Sequence, residues 1–244
     1  MKHNNTYRIG TSGWNYPHWK GAFYPGDMAK KDWFGYYCRF FDTVEVNNTF
    51  YRWPTREILE KWRDAAPSGF RFTLKAPRMI THMKKLKDCG DYVRQFYDLA
   101  AVLERKLGCL LFQLPPNYGY TEHNTAKLRR FLDHLDGRKN NVIEFRDTAW
   151  WNEAVYALLR EKKVTFCNVS GLGMPREQVV TSERVYCRFH GRDYSTRYSR
   201  QEIGEYAGRM RDLKNKRVFA YFNNDNKAYA VMNARELRKE VTDA

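Results

Sequence analysis

Eight short apolar runs recur along the 244 residues, and most of them stop at a polar or charged side chain: Ser12, Asn47, Lys75, Gln113, Arg146, Asn168, His190 and Asn223. The strand candidates are Tyr7–Ser12, Thr43–Asn47, Phe70–Lys75, Cys109–Gln113, Val142–Arg146, Val164–Asn168, Val185–His190 and Val218–Asn223. They are rich in β-branched, aromatic and leucine residues, as strands buried on both faces tend to be. Helical patterns lie between them. Tyr92–Leu107 repeats apolar residues with a 3.6-residue period and is predicted to close at Gly108, and Thr55–Ala66 is bracketed by Pro54 and Pro67. Met28–Phe41, Asn124–Leu135, Asn152–Glu161, Arg200–Leu213 and Ala228–Glu240 complete most of the set. One crossover, Ser170–Ser182, carries Gly171, Gly173 and Pro175 and has no helical period, which predicts an irregular segment shaping one side of a site.

Eight strands alternating with helices at all but one crossover predict an α/β fold, a (β/α)8 TIM-type barrel. A doubly wound open sheet also alternates, but no G-x-G-x-x-G follows the first strand and the count of eight favours closure. No Pro/Gly/Ser-rich linker or low-complexity stretch interrupts the chain, so residues 1–244 are read as a single domain. In such barrels the residues at the C-terminal strand ends converge on one mouth. Polar residues repeated there therefore predict a site.

Hydrophobic residues at 43% suffice for a core, and charged residues at 29% predict a water-exposed surface. Met1–Asn5 contains no apolar stretch of a leader, and no run approaches the length of a bilayer span, so the expectation is a cytoplasmic protein without a membrane partner. Five cysteines, Cys38, Cys89, Cys109, Cys167 and Cys187, form no C-x-x-C pair, which argues against a disulfide framework or a thiolate zinc site. The net charge of +15 favours encounter with polyanions. The same charge spread over the outer faces of helices would merely be solvated.

Side chains two apart on a strand share a face, so Glu45 and Asn47 point one way, as do Glu144 and Arg146, Arg188 and His190, and Asn223 and Asp225. If those faces turn to the mouth, Glu45 and Glu144 stand among Lys75, Arg146, Arg188 and His190, with the amides Asn47, Gln113, Asn223 and Asn224 around them. Mixed charge of this kind suits general acid/base work or the anchoring of an anion. It also suits an ion-pair network that plugs the barrel. Among the many aromatics of residues 14–37 and 50–53, Trp14, Tyr51 and Trp53 come soonest after strand ends and are the ones predicted to stack on a ligand. The six histidines, His3, His18, His82, His123, His134 and His190, are scattered, and no metal site is predicted. No nucleophile elbow or phosphate loop occurs, and no cofactor can be assigned.

Several ordered blocks are familiar. They include Ile9-Gly10-Thr11-Ser12-Gly13-Trp14, Phe41-Asp42-Thr43-Val44-Glu45-Val46-Asn47-Asn48-Thr49-Phe50-Tyr51, Phe112-Gln113-Leu114-Pro115-Pro116, Glu144-Phe145-Arg146, Arg188-Phe189-His190-Gly191 and Tyr221-Phe222-Asn223-Asn224. Together they resemble the YecE-like family, domain of unknown function 72, from about Tyr7 to the C-terminal helix. The resemblance implies a TIM-type barrel and brings no reaction with it. A looser architectural likeness to apurinic endonuclease and sugar isomerase barrels suggests nucleic acid or a sugar phosphate. The His and Asp ligands of a multinuclear zinc centre are missing, so that metal chemistry does not carry over.

The leading expectation is a barrel that binds a phosphate-bearing ligand, either nucleic acid or a phosphorylated small molecule. Lys75, Arg146 and Arg188 would hold the anion, and Glu45 or Glu144 would act as acid or base if the site hydrolyses anything. One alternative is a carbohydrate-active hydrolase using Glu45 and Glu144 as its carboxylate pair. The other is a non-catalytic partner-binding protein whose polar strand ends are structural.

Overall fold

Strand and helix alternate in a computed structural model that describes residues 5–242, except at the crossover of residues 171–183, which carries no helix. His3 and the rest of Met1–Asn4 lie outside the described residues. The strands are β1 (Thr6–Thr11), β2 (Thr43–Val46), β3 (Arg71–Lys75), β4 (Leu107–Gln113), β5 (Asn141–Glu144), β6 (Thr165–Ser170), β7 (Arg184–Phe189) and β8 (Arg217–Phe222). The helices are α1 (Trp33–Tyr37), α2 (Asn48–Tyr51), α3 (Arg56–Ala65), α4 (Gly90–Ala101), α5 (Glu122–Asp133), α6 (Glu153–Glu161), α7 (Arg200–Arg211) and α8 (Tyr229–Thr242). Among the described residues the eight strands run in the order β1-β8-β7-β6-β5-β4-β3-β2, the sheet of a (β/α)8 TIM-type fold. No described helix is long and apolar enough to cross a membrane.

Contacts group the chain into two compact units. The first comprises residues 5–45, 168–178 and 183–242. Here β8 pairs in parallel with β1 on one side, Thr6↔Arg217 through Thr11↔Phe222, and with β7 on the other, Arg184↔Arg217 through Phe189↔Phe222. α7 begins at a capping box, in which the Ser199 hydroxyl accepts from the Glu202 N–H while the Glu202 carboxylate accepts from the Ser199 N–H. Most of the aromatics of residues 14–37 form a satellite core: Trp19 and Tyr37 are fully buried, and Tyr24 stacks on Trp33 with ring centroids 4.9 Å apart. This corrects the predicted helix Met28–Phe41, of which only a 3-10 turn at Lys30–Asp32 and the short α1 form. Within the satellite core Trp33 and Tyr37 of α1 stack on Tyr24 and Phe41.

The second unit comprises residues 46–167 and 179–182. β4 pairs with β3 and β5, and Phe96 of α4 and Phe131 of α5 meet Phe112 of β4 edge-on at 6.0 and 5.3 Å. Thr55, Thr121 and Asn152 each cap the next helix by accepting a backbone N–H. The predicted helix Tyr92–Leu107 is corrected at its end. α4 stops at Ala101, Glu104 takes a left-handed φ of 50°, and Gly108 lies inside β4 rather than ending a helix. Leu103 and Leu107 keep the helical spacing on either side of Glu104-Arg105-Lys106, so periodicity does not mark the break. The remaining strands and helices lie where predicted, within about two residues at most ends.

Candidate functional site

Several strands stop one or two residues earlier than predicted, so Asn47, Arg146, His190 and Asn223 lie just beyond strand ends rather than on them. In the first unit, β7 places Tyr186 and Arg188 on one face, and Glu45 of β2 meets both. Arg188 Nη2 donates to Glu45 Oε1 at 2.6 Å, the Ser12 hydroxyl donates to the same oxygen at 2.8 Å, and Tyr186 donates to Oε2 at 2.5 Å. Glu45, Tyr186 and Arg188 are at most 1% exposed and Ser12 is 2% exposed. Both carboxylate oxygens are therefore occupied by donors, and burial closes them to water. A buried ion pair of this kind contributes little net stability, but removing one partner strands a charge.

Around this cluster further polar groups pair with one another, although Asn224 Oδ1 is buried with no hydrogen-bond partner among the described residues. The Tyr37 hydroxyl accepts from the Thr11 N–H at 3.1 Å and donates to the Thr43 carbonyl at 3.0 Å, and burial raises its pKa well above the ordinary tyrosine value. Asn223 Nδ2 lies 3.2 Å from His190 Nδ1, with the His190 ring fully buried. Asn224 is buried too, and its Nδ2 donates to the Thr196 carbonyl and to Asn233 Oδ1, each at 3.0 Å. Its amide nitrogen thus ties the Thr196 segment to α8. Trp14 is half-buried against Phe34, 5.1 Å between centroids. Asp225 accepts from the Trp19 indole at 2.6 Å and pairs with His18 at 3.1 Å, while burial raises its carboxyl to about 6.

The second unit gathers a different set. Glu144 ends β5 and is fully buried, and its carboxylate accepts from the Arg146 guanidinium, whose side chain keeps 9% exposure. Gln113 is Glu144's register partner across β4 and β5, and it donates to the Leu114 carbonyl at 3.4 Å. At the end of β3 the half-buried Lys75 holds its ammonium 4.1 Å from the centroid of Phe50, a cation–π contact. The Thr49 hydroxyl donates to the Lys75 carbonyl at 2.7 Å and locks α2 onto β3.

His82, one of the scattered histidines of the sequence, belongs to this group. It rides on a π-helical turn, Met79–Met83, and meets Phe50 edge-on at 4.7 Å. Burial first, then the positive charges of Lys75, Arg146 and Arg78, lower its pKa to about 4 against the opposing pull of Glu144. At neutral pH the imidazole is therefore uncharged and able to accept a hydrogen bond. Tyr51, 72% exposed, presents its ring edge-on to Phe50 at 5.0 Å, whereas the half-buried Trp53 packs against Phe96 of α4 at 6.5 Å. Asn47 precedes α2 without capping it, and its buried Oδ1 has no hydrogen-bond partner among the described residues.

The structure thus brings Glu45 together with Arg188, His190 with Asn223, and Glu144, Arg146 and Lys75 with His82. Sequence reasoning missed Tyr186 as a partner of Glu45, although the period of two that paired Arg188 with His190 extends back to it. His82 left no comparable signal, since only the π turn aims it. Among the described residues no group of three or more His, Cys, Asp or Glu side chains could hold a metal ion. Both candidate acid/base residues are engaged by arginine, and in the second unit Lys75 and Arg78 add further positive charge near His82.

A family model described as "Protein of unknown function DUF72" matches residues 8–244. The UPF0759 protein YecE of Escherichia coli strain K12 is 33% identical over 138 residues, 57% of this chain. That match spans about half of the Escherichia coli protein, 47% of its length. The UPF0759 protein YunF of Bacillus subtilis is 26% identical, covering 94% of this chain and 92% of its own. Among solved structures, a DUF72 family protein from Thermotoga maritima superposes with a TM-score of 0.89 at 28% identity, covering 96% of this chain and 98% of that one. One from Enterococcus faecalis shares the fold with a TM-score of 0.84 at 22% identity, covering 97% of this chain and 95% of that one.

Proposed function

The chain belongs to the DUF72 family of unknown function, and from that premise we propose that it binds a phosphate-bearing ligand at the strand ends of the second unit. Lys75 and Arg146 receive the phosphate, and Tyr51 offers a stacking face. The observation that carries this reading is the convergence of three cations, Lys75, Arg146 and Arg78, on His82, where their charge adds to burial in lowering its pKa to about 4. The cationic part of that effect, unlike the burial, favours an anion in the same place. Among phosphate-bearing ligands, nucleic acid fits the +15 net charge, since a polyanion engages the surface as well as the site.

Hydrolysis by a Glu45/Glu144 pair is the less supported reading. Glu45 has its oxygens occupied by Arg188, Ser12 and Tyr186, and Glu144 is paired with Arg146, so each serves as a counter-ion. A general acid or base must reach the proton it transfers.

The test is a fluorescence-anisotropy titration of labelled single- and double-stranded oligonucleotides at low and near-physiological salt. Wild type is compared with Arg146→Ala and with Glu144→Gln/Arg146→Ala, which removes the buried charge that Arg146 balances. Both variants are expected to bind about tenfold more weakly, as befits the removal of one charge-assisted hydrogen bond. Unchanged affinity in the double variant overturns the assignment.

A further inference from the structure

The irregular crossover between β6 and β7 encloses a cavity of about 310 Å3, lined within the first unit, at the C-terminal ends of those two strands. That volume lies near the lower end of the roughly 300–1,000 Å3 typical of small-molecule sites. The frame around it is fixed. Gly171, Leu172 and Gly173 have φ values of 92°, 57° and 71°, so the chain turns back as it leaves β6. At Gly171 a Cβ would lie 1.8 Å from the Gly191 carbonyl oxygen, so only glycine lets the crossover pass so close to the segment after β7. The Ser170 hydroxyl bonds both the Tyr198 and Tyr206 hydroxyls, at 2.8 and 2.6 Å, and Arg209 donates to the Arg176 carbonyl at 2.6 Å.

The lining has two characters. Phe189, Met174 and Met210 are buried and apolar. Cys187 joins them, its thiol pushed up to about 12 by burial, and so behaves as a neutral apolar surface. Four arginines, Arg176, Arg192, Arg197 and Arg209, border the cavity against two glutamates, Glu177 and Glu202. Arg197 is paired with Glu236, and Glu202 is engaged in the capping box of α7. Arg176 and Arg192 are exposed, and their guanidinium groups make no hydrogen bond or ion pair with any described residue.

We infer that this cavity binds a small amphipathic organic anion, with an apolar body on Phe189, Met174 and Met210 and a carboxylate or phosphate held by Arg176 and Arg192. The apolar floor rewards a carbon skeleton, and the two uncommitted guanidinium groups are forks suited to planar or tetrahedral oxyanions. The site shares no residue with the one built around Lys75 and Arg146, so the two stand or fall separately.

Isothermal titration of the intact chain with 1-naphthyl phosphate, 1-naphthoate and uncharged 1-naphthol tests the inference. At least one anion is expected to saturate a single site and to bind tenfold or more tightly than 1-naphthol, and the preferred anion identifies the head group. Arg176→Glu/Arg192→Glu is expected to weaken the anion at least tenfold without lowering the melting temperature, whereas Lys75→Ala leaves its affinity unchanged. The inference is overturned by absent saturable binding, by equal affinity for 1-naphthol, by an unaltered double variant, or by loss of binding in Lys75→Ala.

Discussion

Each unit contains one buried carboxylate paired with arginine, Glu45 with Arg188 in the first and Glu144 with Arg146 in the second. The two pairs share their ingredients and differ in what surrounds them. Around Glu45 the added groups are neutral hydroxyl donors, Ser12 and Tyr186, and the whole cluster is shut from solvent. The Glu144–Arg146 pair instead acts on His82 together with the cations Lys75 and Arg78, beside Phe50 and the exposed Tyr51. A carboxylate saturated by neutral donors holds strands in place. A carboxylate outnumbered by cations leaves a field that a ligand can answer.

The largest effect that could break this contrast lies in the first cluster. Arg188→Ala leaves the Glu45 carboxylate buried with two hydroxyl donors and no counter-charge. Loss of one partner from such a pair costs about 3–5 kcal/mol. Urea unfolding monitored by tryptophan fluorescence should report a loss of that order. Glu45→Gln/Arg188→Met, which removes both charges, should recover more than half of it. A loss under about 1 kcal/mol for Arg188→Ala would mean that the cluster relaxes or hydrates, and Glu45 would become available for chemistry after all.

The second cluster should respond the other way. Lys75→Ala removes a cation that sits on an aromatic face, so its stability cost is expected to stay near 1 kcal/mol. Its binding cost should be visible as salt dependence: the slope of log K against log salt for duplex DNA should flatten by about 0.9, the change expected when one phosphate fewer is neutralised. An identical slope in wild type and Lys75→Ala would erase the distinction between the two clusters, because Lys75 would then be structural as well.

The ingredients of this contrast are legible in the amino-acid sequence alone. The strand ends can be read because short apolar runs end at polar residues and strand periodicity is local. Glu45, Arg188, Glu144 and Arg146 therefore stand out as one class of residue. What separates them is not legible, because it depends on burial and on neighbours distant in sequence: Tyr186 lies 141 residues from Glu45. The irregular nature of residues 170–182 is evident from Gly171, Gly173 and Pro175, but the cavity beneath depends on a close approach to Gly191 that no spacing encodes. Asn224 and Trp53 carry the same sequence signal as the other candidates, yet they spend their side chains on Asn233 and on Phe96.

His82 sharpens the comparison by a smaller effect, because the charge of the second cluster adds to burial in setting its pKa. Its pKa falls from an ordinary 6.5 to about 4 in the folded chain, through burial and the cations Lys75, Arg146 and Arg78. Between those values the unfolded chain binds more protons than the folded one. The stability associated with the neutral imidazole is therefore complete above about pH 6.5 and is lost as pH falls through 4. His82 is only half-buried, so solvent screening reduces the effect to the order of 1 kcal/mol. Urea titrations at pH 7 and pH 4.5 should show this extra acid sensitivity in wild type and not in His82→Asn. A bound phosphate should also raise the His82 pKa, because an anion beside the ring favours the imidazolium, and the ring proton shifts followed by NMR with and without oligonucleotide would reveal it. If His82→Asn keeps the full acid sensitivity and the ring titrates near 6.5, the cations do not converge on it. The field that separates the second cluster from the first would then be lost.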